Sequence, residues 1–228
     1  MAGRARNRRS NPLALAVLVL LYEQEMHPYQ MSQTLRERHK DDSVRLNFGS
    51  LYAVVEALAK QDLIRAMGAE REGNRPARTV YALTDAGTTE VLSWMRDLVA
   101  TPVKEYPQFM AALSFLAVLA PDEAGELLRT RCDHLRQRIA LLDNDIAATA
   151  GMLPELFVIE THYEAAMVRA ELAFAESLAG RIDTGALGGT AGWQQLHDRL
   201  AELGVTRIAD ADIESIAEEM GVSITPPQ

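Results

Sequence analysis

Apolar residues fill every position from Leu13 to Leu21, and the run starts directly after Asn11-Pro12. Asparagine is a preferred N-cap and proline suits the first helical position, so 11–23 predict a helix. It is apolar nearly all round, which places it inside a small domain rather than on its surface. A break at Met26-His27-Pro28 ends it. From Pro28 to His39 the candidate inward residues shrink to Tyr29, Met31 and Leu35, with Gln30, Gln33, Arg36, Glu37 and Lys40 outward. That pattern predicts a short amphipathic helix. After the polar linker Asp41-Asp42-Ser43, Asn47 is placed to cap a third helix, whose Leu51, Val54, Val55 and Leu58 recur at i, i+3, i+4 and i+7.

The period then changes. Leu63 to Met67 and Thr79 to Leu83 are short strand-like runs on either side of Gly73-Asn74-Arg75-Pro76, the residue types that turns prefer, and they predict a β-hairpin. Thr84 and Asp85 offer caps for a fourth helix through Val91, Leu92, Trp94, Met95, Leu98 and Val99, ending before Pro102. Helix, helix, helix, hairpin, helix is the order of a winged helix-turn-helix domain.

No defensible strand signal follows in 101–182. Phe109 to Leu119 predicts an apolar helix, and Pro121-Asp122-Glu123 opens another. Leu128, Cys132, Leu135, Ile139, Leu142, Ile146 and Leu153 follow heptad-like steps. At about 1.5 Å per residue such a helix would run roughly 40 Å, too long to cover its own stripe without a partner. Gly151 to Pro154 turns the chain, and Leu156, Ile159, Tyr163, Met167, Ala170, Phe174 and Leu178 form a second stripe expected to pack back on the first. Glycines 185, 188, 189 and 192 mark 183–192 as a linker. Beyond it, Trp193, Leu196, Leu200 and Leu203 suit a short helix, and Ile213, Ile216 and Met220 another. The expected fold class is therefore mainly α with a small β-hairpin wing. A winged helix-turn-helix domain (1–100) with a basic N-terminal arm precedes an α-helical dimerisation domain (101–182) and a short helical tail (183–228).

Composition changes this picture in one respect. The 228 residues are 48% hydrophobic and 24% charged, as in ordinary globular chains, and the net charge of -9 argues against a protein that coats nucleic acid non-specifically. Residues 1–100, however, hold 14 Lys and Arg against 12 Asp and Glu, whereas the remainder holds 9 against 20. The two parts are expected to face different partners. Arg8-Arg9 ahead of the apolar run resembles the start of an export signal. Yet no small-residue cleavage site follows, and the run is about half of what spans a bilayer. No membrane segment and a cytoplasmic location are expected, and the single Cys132 excludes an intrachain disulfide.

Candidate chemistry concentrates in the first hundred residues. Asn47, Gly49, Ser50 and Tyr52 open the third helix with small and hydrogen-bonding side chains. Free amides at a helix start suit phosphate oxygens, and the second helix of a helix-turn-helix pair reads the major groove with its first turns. The alternative is that Ser50 only caps and Tyr52 only packs. Arg71, Arg75 and Arg78 around the predicted turn are suited to phosphate or the minor groove, and Arg4, Arg6, Arg8 and Arg9 to a backbone-following arm, or to a disordered tail. Histidines 27, 39, 134, 162 and 197 never take ligand spacing. No metal, cofactor or catalytic constellation is expected, and the glycines after 183 follow no strand, so they are no dinucleotide fingerprint. Cys132 on the heptad stripe reads as a small core residue rather than a redox switch.

In order, His27-Pro28-Tyr29, Gly49-Ser50-Leu51-Tyr52, Asp62-Leu63-Ile64 and Arg78-Thr79-Val80-Tyr81-Ala82-Leu83-Thr84-Asp85-Ala86-Gly87 resemble the PadR-type winged-helix transcriptional regulators over about 11–100. Residues 105–180 resemble the longer C-terminal helical domain of that family's virulence-activator-like branch. Pro28 departs from the glycine more usual before the tyrosine, and 183–228 extend past the resemblance. The resemblance implies a homodimer on an inverted-repeat operator in double-stranded DNA, usually acting as a repressor. Some members sense aromatic or cationic small molecules, and Trp94 and Phe109, with Phe115 and Tyr163, are the candidates to line an effector cavity. The competing reading of those rings is ordinary core packing. The competing reading of the whole chain is a winged-helix protein-interaction module that does not bind DNA.

Overall fold

The computed structural model describes residues 11–40, 44, 47–70 and 78–204. The chain divides into two compact units, Met1–Glu105 and Tyr106–Gln228. In the first, the order is α1 (Pro12–Glu23), α2 (Pro28–Glu37), α3 (Phe48–Lys60), β1 (Ile64–Glu70), β2 (Arg78–Leu83) and α4 (Asp85–Ala100). The Asn11 side chain accepts from the Leu13 amide, so α1 starts where Asn-Pro places it. Its all-apolar surface is used on several sides, because α3, α4 and β2 all pack against it. Leu18, Met26, Met31, Leu51 and Ile64 form the sealed centre, and Val91 and Trp94 of α4 close it. Tyr29 differs from expectation, being half exposed. Met31 and Leu35, one helical step of four apart, set the buried face of α2, and a residue two positions earlier points to the other side.

The two strands pair antiparallel from Ile64↔Leu83 to Glu70↔Arg78, with a bulge between Ala66 and Gly68. Gly68 sits at φ 136°, a conformation that suits glycine. Met26, in the turn between α1 and α2, exchanges both backbone hydrogen bonds with Tyr81 (3.1 and 3.0 Å) and so adds a one-residue third strand. The arginine-bearing turn 71–77 and the N-terminal arm lie outside the described residues, as does the predicted helix around Ile213, Ile216 and Met220.

The second unit runs α5 (Gln108–Ser114), a 3-10 turn at Leu116–Val118, α6 (Pro121–Thr149), a 3-10 turn at Glu155–Phe157, α7 (Ile159–Asp183) and α8 (Thr190–Leu203). Helices α6 and α7 form a long antiparallel hairpin. On one flank Arg129, Arg136 and Arg169 pair with Asp183, Glu176 and Asp143; on the other Arg131 and Arg138 pair with Glu171 and Glu164. The contacts recur every seven residues, so both flanks specify one register. The pairs of the first flank are exposed and those of the second part-buried; each contributes at most about 1 kcal/mol, but together they disfavour slipped pairings.

Between the flanks, Leu128, Cys132 and Leu142 of α6 are buried, as their spacing predicts. The facing side of α7 is only in part the one expected, through Leu178. Ala165, Ala175, Leu178, Ala179 and Ile182 face inward, whereas Ile159, Tyr163, Met167 and Phe174 are all more than half exposed. Three of the inward residues are alanines, which let the two helices approach closely, and the four exposed large residues turn to a neighbouring face. Helix α8 begins at Gly189 in the left-handed conformation and is fastened at 117–119, where the Trp193 indole donates to the Leu119 carbonyl at 2.7 Å. The linker predicted for 183–192 is thus only the short turn between Asp183 and Thr190.

Candidate nucleic-acid interface

Helices α2 and α3 are each set by a side-chain cap. His27 Nδ1 accepts from the Gln30 amide at 3.1 Å, and Asn47 Oδ1 accepts from the Gly49 amide at 2.9 Å. Asn47 therefore starts the helix that it was expected to help read from. With Leu51, Val54, Val55 and Leu58 buried, α3 turns Gly49, Ser50, Tyr52, Ala53, Glu56 and Ala57 to solvent. After Phe48, the described residues of its first two turns expose no large side chain apart from the half-exposed Tyr52. Gly49 is not demanded by the fold, because a Cβ there would meet only Asn47 Oδ1, at an ordinary 3.6 Å. Its openness leaves the helix start accessible to a close-approaching group.

The hairpin is fixed beside this helix at its base. Gln61 and Asp62 end α3, with Asp62 at φ 57°, and the chain enters β1 through Leu63. The Thr84 hydroxyl lies 2.7 Å from the Asp62 carbonyl and 3.0 Å from that of Leu63, and it accepts the Gly87 amide at 3.0 Å. Thr84 thus caps α4 and ties the exit of the hairpin to its entry. Gly87 is required for this contact. A Cβ would lie 2.0 Å from the Leu63 carbonyl oxygen. The Thr-Asp-Ala-Gly segment therefore sets where the wing stands relative to α3.

Between these elements lies an open cleft of about 330 Å³. Its walls are His27, Pro28 and Tyr29 at the start of α2, Tyr52, Val55 and Glu56 of α3, and Thr79 and Tyr81 of β2. Sequence reading missed it, since Tyr29 was assigned to the core and the Met26–Tyr81 bridge that draws β2 toward α2 has no local signature.

Arg75 lies outside the described residues; Arg78 starts β2 opposite Glu70, with its side chain outside them. Trp94 is only 3% exposed in the first core, its indole nitrogen buried without a hydrogen-bond partner among the described residues. Phe109 belongs to the second unit, edge-on to Phe174 with the Arg131 guanidinium 3.7 Å over its ring. Trp94 thus serves the core of the first unit, and Phe109 packs against the core of the second. Burial pushes the Cys132 thiol up, and Glu176 adds to the shift, the opposite of what a reactive thiolate needs. Among the described residues no cluster of His, Cys, Asp and Glu is arranged for a metal ion, and no helix is long and apolar enough to cross a membrane.

Residues 17–92 match the transcriptional regulator PadR-like family. No curated protein matches the chain in sequence. Among solved structures the chain is similar to Bacillus subtilis PadR in complex with operator DNA, at 19% identity and a TM-score of 0.60 over 75% of this chain and 99% of that one. The same values describe its likeness to Bacillus subtilis PadR in complex with p-coumaric acid, over 75% and 98%. The Vibrio cholerae virulence activator AphA is similar at 16% identity and a TM-score of 0.57, over 75% and 98%. At these identities the likeness establishes a common fold. The match over 17–92, on a helix-turn-helix with a clamped β-hairpin, identifies the first unit of this chain as a winged-helix domain of the transcriptional regulator PadR-like family.

Proposed function

We propose that this protein is a sequence-specific DNA-binding transcriptional regulator, a repressor that occupies an inverted-repeat operator as a homodimer in the cytoplasm and is released by a small-molecule effector. The observation that carries the reading is the solvent face of α3. It is capped by Asn47, exposes Gly49, Ser50 and Tyr52, and is held beside a wing by the Thr84 clamp, in a fold shared with a PadR seen on operator DNA. In this reading Gly49 admits the phosphate backbone to the helix start, and Ser50 and Tyr52 reach base edges. Asn47 positions them, and Arg75 and Arg78 contact phosphate or the minor groove from the wing. A bidentate Arg–base contact is worth about 1–3 kcal/mol, whereas a phosphate contact acts on all sequences alike.

Residues 1–100 then form the DNA-binding part and 101–182 the dimerisation part. The support for pairing is the stripe of Ile159, Tyr163 and Met167, three large apolar side chains more than half exposed on one face of α7. A second copy is the partner that such a self-complementary face suits. Effector release is supported by the likeness to a PadR bound to p-coumaric acid. Recovery of genomic DNA crosslinked to the full chain tests the proposal. Enriched fragments sharing an inverted repeat, with half-sites about one helical turn apart, are expected. Enrichment of protein partners without any DNA motif would instead favour the interaction-module reading.

A further inference from the structure

The solvent face of α3 is poor in the side chains that pair with purines. Opposite the buried Leu51, Val54, Val55 and Leu58, its centre line runs through Gly49, Ala53, Glu56 and Lys60, with Ser50 and Ala57 on one side and Tyr52 on the other. From 49 to 57 the chain holds no Arg, Lys, Asn or Gln, the residues that bond guanine or adenine through two atoms. Asn47, just before, already has its Oδ1 engaged by the Gly49 amide. The charged side chain in that span is Glu56, which is exposed. Among the described residues its carboxylate takes no ion pair or hydrogen bond, Lys60 one helical step of four further on included. The residues around it toward α2 and β2, from His27 to Tyr81, include no Lys or Arg.

A carboxylate at the middle of a DNA-facing surface is repelled by phosphate, and equally by the acceptors of guanine, adenine and thymine in the major groove. The cytosine N4 amino group is the donor from which a glutamate accepts there. Position favours base over backbone. Glu56 is two turns, about 10 Å, beyond Gly49 and lies on the ridge farthest from the core, the part of the helix that enters deepest into a groove about 8.5 Å deep.

We propose that Glu56 is a specificity-determining residue that reads cytosine, accepting from its N4 amino group, at one position in each half-site of the operator. The inference rests on the DNA-binding reading above and adds the base that this face selects. Glu56 then lowers affinity for duplex in general and restores it where cytosine supplies a donor, so one side chain both discourages non-specific binding and selects a sequence.

Selection from a pool of random duplexes by the full chain, with Glu56→Gln and Glu56→Ala run in parallel, tests this. Both exchanges are at an exposed helical position and should leave the melting curve unchanged. The parent is expected to enrich an inverted repeat with a C·G pair at one fixed position of each half-site. Replacing that pair in one half-site should weaken parent binding by about tenfold, within the range of a single base contact. Glu56→Gln should move the preference at that position away from cytosine and toward adenine, which glutamine bonds at N6 and N7. Glu56→Ala should leave the position without preference and the rest of the repeat intact. Variants that select the parent's repeat, C·G pair included, or that bind every duplex more tightly by one common factor, would overturn the inference and leave Glu56 a solvated charge that only repels the backbone. A parent that enriches no sequence would overturn the DNA-binding reading along with it, whereas an enriched repeat indifferent to Glu56 overturns this inference alone.

Discussion

Replacing Gly87 by alanine tests the claim that the Thr84 clamp holds the wing. In a helix this exchange ordinarily stabilises by about 0.5–1 kcal/mol. Here the new Cβ would lie 2.0 Å from the Leu63 carbonyl oxygen and 2.8 Å from Leu83 Cδ1. Ordinary carbon–oxygen contacts are about 3.3 Å or longer, so backbone must move by more than an ångström. The movement pulls Leu63 away from the Thr84 amide, which donates to its carbonyl at 3.1 Å, and from the Thr84 hydroxyl. Two weakened hydrogen bonds, at about 0.5–1.5 kcal/mol each, add to overpacking of about 1–3 kcal/mol. After subtracting the helical gain, a net loss of about 1–5 kcal/mol is expected. Trp94 reports the first unit in a Trp193→Phe background, which separates its unfolding from that of the second. With a urea slope of about 2 kcal/mol/M, the midpoint should fall by roughly 0.5–2.5 M. Gly49→Ala is the control, since its Cβ meets nothing closer than 3.6 Å and the midpoint should hold or rise slightly. A Gly87→Ala midpoint equal to that of the parent would refute the clamp.

Other consequences are as direct. Leu51→Ala, at a fully buried position under α3, should cost about 2–5 kcal/mol by the same fluorescence assay. Glutamates introduced together at Tyr163 and Met167 should leave the melting curve of α6 and α7 nearly intact, because both side chains are exposed, while shifting sedimentation from dimer to monomer. Cys132 should react with a disulfide reagent slowly at pH 8 in the native chain and rapidly in denaturant. Burial raises its pKa as well as blocking access, so little thiolate forms at a pH where the unfolded thiol already ionises.

How much of this was legible in the sequence depends on whether the determinant is local. Asn11-Pro12, Asn47 and Thr84 set helix starts through contacts two or three residues away, and each boundary falls where the residue type places it. The hairpin and the buried face of α3 follow equally from short-range periodicity. The determinants that escaped are long-range. The Met26–Tyr81 bridge joins residues far apart in sequence, and without it Tyr81 and Tyr29 had no reason to share a cleft with Tyr52. Helix α7 carries two apolar stripes, and periodicity does not say which meets α6; the one that does holds Ala165, Ala175 and Ala179 beside Leu178 and Ile182. Phe109 to Leu119 read as one apolar helix, but the chain breaks at Phe115 into a 3-10 turn, and the carbonyls of Ala117 and Leu119 meet His197 and Trp193 of α8.

Binding of the full chain to duplex DNA from upstream of its own gene, titrated over a series of salt concentrations, tests the central claim most directly. The account predicts saturable binding that weakens steeply with salt. Tyr52→Ala should erase discrimination against unrelated duplex, and Arg75→Ala with Arg78→Ala should lower affinity and flatten the salt slope. A folded, dimeric chain that leaves duplex DNA unbound at low salt would contradict it.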